Sequence, residues 1–164
     1  MQQLMRRIFA NRPMPPEGTS KEEFHKFFDA AVTDFEEGGY LDTVKLTPIG
    51  SDEELERVLR ANKDDLTVVK FWKRGCMPCL AFGEMFKAAE KHYQDTGRPV
   101  KFYSVDTKAP GCSDLARYQL VDGTPTILTF HKYRQLGEEI KETSLESFTA
   151  VVDKRIPQPQ QGSA

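Results

Sequence analysis

The sequence predicts an α/β fold, a central sheet flanked by helices, and three observations carry that expectation. Segments of strand character alternate with segments of helical period along most of the chain. One of them, LTVVKFW at 66–72, is dense in β-branched and aromatic residues, the mark of a buried strand. Three capping boxes, Ser20 to Glu23, Ser51 to Glu54 and Thr143 to Glu146, open helices along the way. The 164 residues suffice for one domain with a real core plus appendages.

The first stretch, MQQLMRRIFANRPMPP, carries Arg6, Arg7 and Arg12 and no acid. Leu4, Met5, Ile8 and Phe9 line one face of a short helix. A basic, acid-free, amphipathic start is the pattern of a mitochondrial presequence, so residues 1–18 are read as such a segment, with a basic tail on a cytoplasmic protein as the alternative. No apolar run follows the arginines, which argues against a secretory signal. Pro13, Pro15, Pro16 and Gly18 break the chain.

Residues 19–40 form an added N-terminal amphipathic helix that Gly38-Gly39 ends. Its stripe of Phe24, Phe27, Phe28, Ala31 and Phe35 must be buried, either on the protein's own core or against a protein partner.

Residues 41–156 make the main domain. VKLTPI is a short edge strand, because Pro48 removes a ladder donor. SDEELERVLRAN is a helix with Leu55, Val58 and Leu59 inward, and LTVVKFW the buried strand. A helix runs from about Cys79 to His92, with Phe82, Met85, Phe86 and Ala89 on one face. Strand VKFYSVD, helix SDLARYQL, strand TPTILTF, strand GEEIKE and helix TSLESFTAVVDKRI follow. The last residues, 157–164, are a polar tail without core-forming content, expected to be disordered.

Bulk properties exclude several classes. A net charge of -2 gives no electrostatic argument for nucleic acid. No apolar stretch is long enough to span a bilayer. Three cysteines are too few, and odd in number, for a disulfide framework, and fit a reducing or redox-buffered compartment.

Chemistry concentrates in KFWKRGCMPCLAF, residues 70–82. Two cysteines at this spacing, the second inside a helix start, can close a small disulfide ring. The first then sits at the helix N-terminus, where free amides and the helix dipole stabilise a thiolate. Lys73 and Arg74 add positive charge, and Pro78 falls where a missing N–H costs nothing. This makes Cys76 an exposed nucleophile and Cys79 the thiol that resolves a mixed disulfide. A zinc clip is the competing reading, but it needs a second pair of ligands, and Cys112, His25, His92 and His131 are scattered. Two core cysteines without chemistry are the third reading. Cys112 itself reads as a small core filler, with a second redox site as the alternative.

Strand, Phe71-Trp72, a Cys-x-Pro-Cys helix start and a distant Thr-Pro-Thr opening a strand together resemble the thioredoxin family over roughly residues 45–155. The resemblance implies the thioredoxin fold, with a mixed central sheet. It makes Thr124–Pro125 a cis step facing the cysteines and Trp72 the family tryptophan before the site. It also implies thiol–disulfide exchange with client proteins through Cys76 and Cys79, no cofactor beyond that dithiol, and a reductase or glutathione-type thiol as electron donor.

Departures from the family pattern bear on activity. Gly75 stands where thioredoxins place tryptophan, and Met77 replaces a glycine, setting a flexible apolar chain on the client face. Lys70 replaces a buried aspartate, and the family's partner lysine aligns with Phe102. An ammonium beside Cys79 lowers its pKa where a carboxylate raises it, so the couple is expected to be more oxidising. Buried unpaired, Lys70 must lose its proton, find an acid or reach water. A glycine that admits client backbone aligns near Lys141, whose side chain is expected to crowd the groove. With so many changes around one site, the alternative function is a weakly active or inactive interaction subunit of a larger, mitochondrial assembly, docked through the phenylalanine face.

Overall fold

The computed structural model describes residues 1–158 of the chain. The tail expected at 157–164 lies, from residue 159 on, outside the described residues. The described chain runs α1 (Gln2–Phe9), α2 (Lys21–Phe35), a π turn (Glu36–Tyr40), the single turn α3 (Leu41–Thr43), β1 (Thr47–Pro48), α4 (Asp52–Ala61), β2 (Leu66–Trp72), α5 (Met77–Asp95), β3 (Val100–Asp106), α6 (Cys112–Tyr118), β4 (Thr126–His131), β5 (Arg134–Gln135) and α7 (Leu145–Arg155). No helix among the described residues is long and apolar enough to cross a membrane.

The five strands form one mixed sheet in the order β1-β3-β2-β4-β5. β1 and β2 lie parallel to β3, whereas β4 is antiparallel to β2 and to β5. β2 is central, and six of its seven residues are buried. Side chains alternate across a strand. Leu66 and Val68 therefore pack with Phe86, Ala89 and Tyr93 of α5 and Phe148 and Val152 of α7. Val69 and Phe71 point the other way, toward Leu55 and Leu59 of α4 and Leu115 and Ala116 of α6. The same alternation turns Lys70 to the α5 face. Pro48 sits on an edge strand, as its missing donor requires.

A third cluster joins the N-terminal helices to the body. Leu4 and Ile8 of α1, Ala31 and Val32 of α2, Tyr40 and Val44 are buried together with Leu80 of α5. Most of the phenylalanine stripe is covered from within. The Phe9 ring lies 5.8 Å from Phe27 and 5.5 Å from Phe28, and Phe35 packs 4.8 Å from Tyr40. Phe24, at the far end of the stripe, is 39% exposed.

Several expectations are corrected. Gly38-Gly39 does not end the N-terminal helical region. Gly39, at φ 121°, lets the chain pass through the π turn into α3. The strand expected at GEEIKE is absent. The partner of β4 is the two-residue β5, reached through a turn in which Lys132 and Tyr133 take positive φ without any glycine to announce it. Residues beyond β5 still give β4 two backbone bonds, Leu136 N–H to Thr129 O and Ile140 N–H to Ile127 O. The last helix is capped by Ser144 with Ser147, one residue later than the expected Thr143 box.

Candidate functional site

α5 begins at Met77, not Cys79, and Cys76 is its N-cap. Pro78 occupies the first turn, where no partner for its absent N–H is missed. The Cys76 sulfur accepts the Cys79 backbone N–H at 3.2 Å, and the two sulfurs are paired as a disulfide with Cα atoms 5.2 Å apart. The helix start thus directs an amide at the sulfur expected to carry negative charge when reduced. Cys76 is only 7% exposed, less than expected of a nucleophile, and Cys79 4%. Thr124 covers it. The Thr124 hydroxyl donates to the Cys76 sulfur at 3.5 Å, its carbonyl oxygen lies 3.6 Å away, and the Thr124–Pro125 bond is cis.

Gly75 has φ +75°, a backbone state that L side chains rarely adopt. This explains why no tryptophan stands there. Met77 does not lie free on the client face. It is partly buried against the cluster of α1, α2 and Leu80. Trp72 ends β2, and its carbonyl accepts the backbone N–H and hydroxyl of Thr107. A groove beside Pro125 is lined by Thr124, Gln135, Glu138 and Glu139 but, among the described residues, not by Lys141. Lys141 is exposed and pairs with Glu139 at 3.4 Å, so the expected crowding does not occur.

Behind the disulfide lies a cavity of about 250 Å³ walled by Tyr40, Val44, Leu46, Lys70, Trp72 and Cys79. Lys70 is 6% exposed. Its ammonium lies 5.2 Å from the centre of the Phe86 ring, a cation–π contact, and no acid among the described residues pairs with it. Burial, helped by the charge of Lys87, pulls its pKa down to about 8. Of the three outcomes open to a buried lysine, this one combines weakened protonation with access to a cavity. Phe102 is buried in the sheet core and supplies no charge in exchange.

Two residues that sequence reasoning missed complete the site. Glu36, in the π turn, is 2% exposed, and both its carboxylate oxygens accept the Gly75 N–H at 3.1 Å. Burial raises its pKa, against the pull of that N–H and of Arg74. Tyr40 donates its hydroxyl to the Leu80 carbonyl. Burial pushes its phenol up to about 12, so it stays a neutral donor. A Cβ on Gly83 would meet the Tyr40 hydroxyl at 3.1 Å, which accounts for a glycine inside α5. The available signal was a pair of acids before two glycines, EEGG, with a basic loop elsewhere to receive them.

Cys112 is buried at the start of α6, and burial raises its thiol pKa, as befits a core filler. Among the described residues no group of three His, Cys, Asp or Glu side chains could hold a metal.

The Thioredoxin family model matches residues 47–154. Among solved structures, thioredoxin from Fasciola hepatica superposes with TM-score 0.58 at 19% identity, over 66% of this chain and 98% of that one. Thioredoxin from Trypanosoma brucei brucei gives 0.57 at 18%, over 69% and 92%. A complex of ferredoxin:thioredoxin reductase and thioredoxin f2 gives 0.58 at 18%, over 68% and 96%. At these identities the structural likeness speaks for the fold.

Proposed function

Because the chain belongs to the thioredoxin family, we propose that it is a thiol–disulfide oxidoreductase that exchanges disulfides with client proteins. The observation that carries this reading is the Cys76–Cys79 pair at the α5 N-terminus beneath Thr124–Pro125. In the reductive direction, the Cys76 thiolate attacks one sulfur of a client disulfide. A Cys76–client bond forms, and the client's other sulfur leaves as a thiolate that takes a proton. Cys79, having lost its proton, then attacks Cys76, closing the protein disulfide and releasing the second client thiol. The client gains two electrons, and the protein dithiol loses them. The Cys79 N–H stabilises the Cys76 sulfur in its anionic form, and Pro78 keeps the first turn of the helix in place. Lys70, walling the cavity shared with Cys79, stabilises the anionic form of that thiol while it is protonated. A dithiol so stabilised makes a more oxidising couple.

A donor of two electrons and two protons must restore the reduced form. A reductase fits, in keeping with the complex of ferredoxin:thioredoxin reductase and thioredoxin f2 among the neighbours, and a glutathione-type thiol is the other class. A mitochondrial location is proposed from the arginine-bearing, acid-free first sixteen residues, and N-terminal sequencing of the mature protein tests it.

A second reading, an interaction subunit, draws on the N-terminal helices outside the family match and on Phe24, left exposed at their end. Dithiothreitol-driven reduction of insulin separates the two. The wild type is expected to accelerate it and Cys76→Ser to lose that acceleration. Equal rates would overturn the oxidoreductase reading and favour the subunit.

A further inference from the structure

Among the described residues, the Glu36 carboxylate bonds the backbone of the loop before Cys76, whereas Glu37 reaches only the Arg74 side chain, and both acids come from outside the family match. Three features make that contact more than packing. Glu36 is almost wholly buried, and both oxygens converge on a single amide, that of Gly75. Gly75 is the residue whose positive φ turns the chain into the N-cap position of Cys76. Glu36 also sits where α2 gives way to α3, just before the kink that Gly39 makes at φ 121°.

We propose that Glu36 is a positioning residue for the Cys76–Cys79 exchange, holding Gly75 so that Cys76 caps α5 while its negative charge disfavours the Cys76 thiolate. This rests on the oxidoreductase reading and adds a brake to it. The neighbouring charges divide by element. Lys73 and Arg74 on the loop and Lys70 on β2 favour the thiolate, while Glu36 and Glu37 after α2, and Asp106 at the end of β3 in the cavity with Cys79, oppose it. Glu37 is largely exposed and screened, so of the two acids after α2 the buried Glu36 is the one whose charge is felt at the loop. Lys70 lines the cavity behind the disulfide with Cys79 and not with Cys76, so it acts chiefly on the second step.

The test uses the full chain in a Cys79→Ser background, following alkylation of Cys76 by iodoacetamide across pH with mass spectrometry. Glu36→Gln keeps an oxygen that accepts from Gly75 and removes only the charge. It is expected to move the Cys76 titration to lower pH and to raise alkylation below the midpoint by about threefold or more. Glu36→Ala, which also loses the hold on Gly75, is expected to raise protease nicking of the 73–76 loop, which Glu36→Gln leaves unchanged. An unchanged or upward-shifted Cys76 titration in Glu36→Gln would overturn the proposal, and so would loss of stability in both variants without a shift. Because this readout needs no client turnover, it stands apart from the insulin assay: failure there removes the activity, failure here removes the brake.

Discussion

The front and the back of the Cys76–Cys79 pair are assembled from different stretches of chain. The front is made by the loop and helix start around the cysteines and by the Thr124–Pro125 step, all within the family match. Its polar contacts to Cys76 are the Cys79 amide and the Thr124 hydroxyl. The back is made by Glu36 and Tyr40, which precede the match, and by the buried Lys70 of β2. On the exchange reaction proposed above, a client meets the front, while the buried acid, phenol and lysine that bear on proton affinity and rigidity lie behind the pair.

The largest expected effect tests whether the back is structural at all. Tyr40→Ala removes a buried ring from the cluster beneath α5 and leaves the Leu80 carbonyl without its partner. It should cost about 3–5 kcal/mol, read as a lower midpoint in urea. A cost below about 1 kcal/mol would mean the N-terminal layer is only attached, and the contrast between the two sides would collapse.

Lys70→Met comes next and carries a pH signature. With the folded pKa pulled from 10.5 to about 8, the unfolded chain binds the proton more tightly between those values. Stability contributed at this site therefore rises with pH from about 8 to 10.5, and below pH 8 the full penalty for a buried charge, about 3 kcal/mol, is present. Oxidised Lys70→Met should be more stable than the oxidised wild type at pH 7 by up to that amount, and the gap should close by pH 10.5. The same substitution should make the couple more reducing. A gap independent of pH would show that Lys70 acts by shape and not by charge.

The smallest effect sharpens the contrast within the π turn. Arg74 and Glu37 meet at 3.4 Å, but both are more than half exposed. Arg74→Ala should change stability by no more than about 0.5 kcal/mol at moderate salt. A larger loss would move part of the clamp from Glu36 to its exposed neighbour.

The front was legible in the sequence because its determinants are local. Two cysteines, a proline and a strand end lie within a few residues, and 66–72 and 100–106 stand as strands with the bounds their composition suggests. Even here local pattern misplaced the helix start, because Cys76 caps α5 with a sulfur and not with one of the usual oxygen-bearing caps. The back was not legible. Glu36 and Gly75 are 39 residues apart, Tyr40 and Leu80 are 40, and no period connects them. Gly38-Gly39 read as a stop because glycine usually ends a helix, whereas the π turn uses that freedom to continue. β5 was missed because its turn places Lys132 and Tyr133 where glycine or asparagine would be expected.

The chain separation of the clamp from the loop it holds also sets an order of events during synthesis. Glu36 is synthesised 39 residues before Gly75, so its buried acid has no amide to meet until the start of α5 has followed it out. The cap from Thr124 comes later still, with β4. On the reading proposed above, a nascent chain paused between these points carries the Cys76 and Cys79 thiols with Glu36 already in reach of Gly75 and without the Thr124 contact.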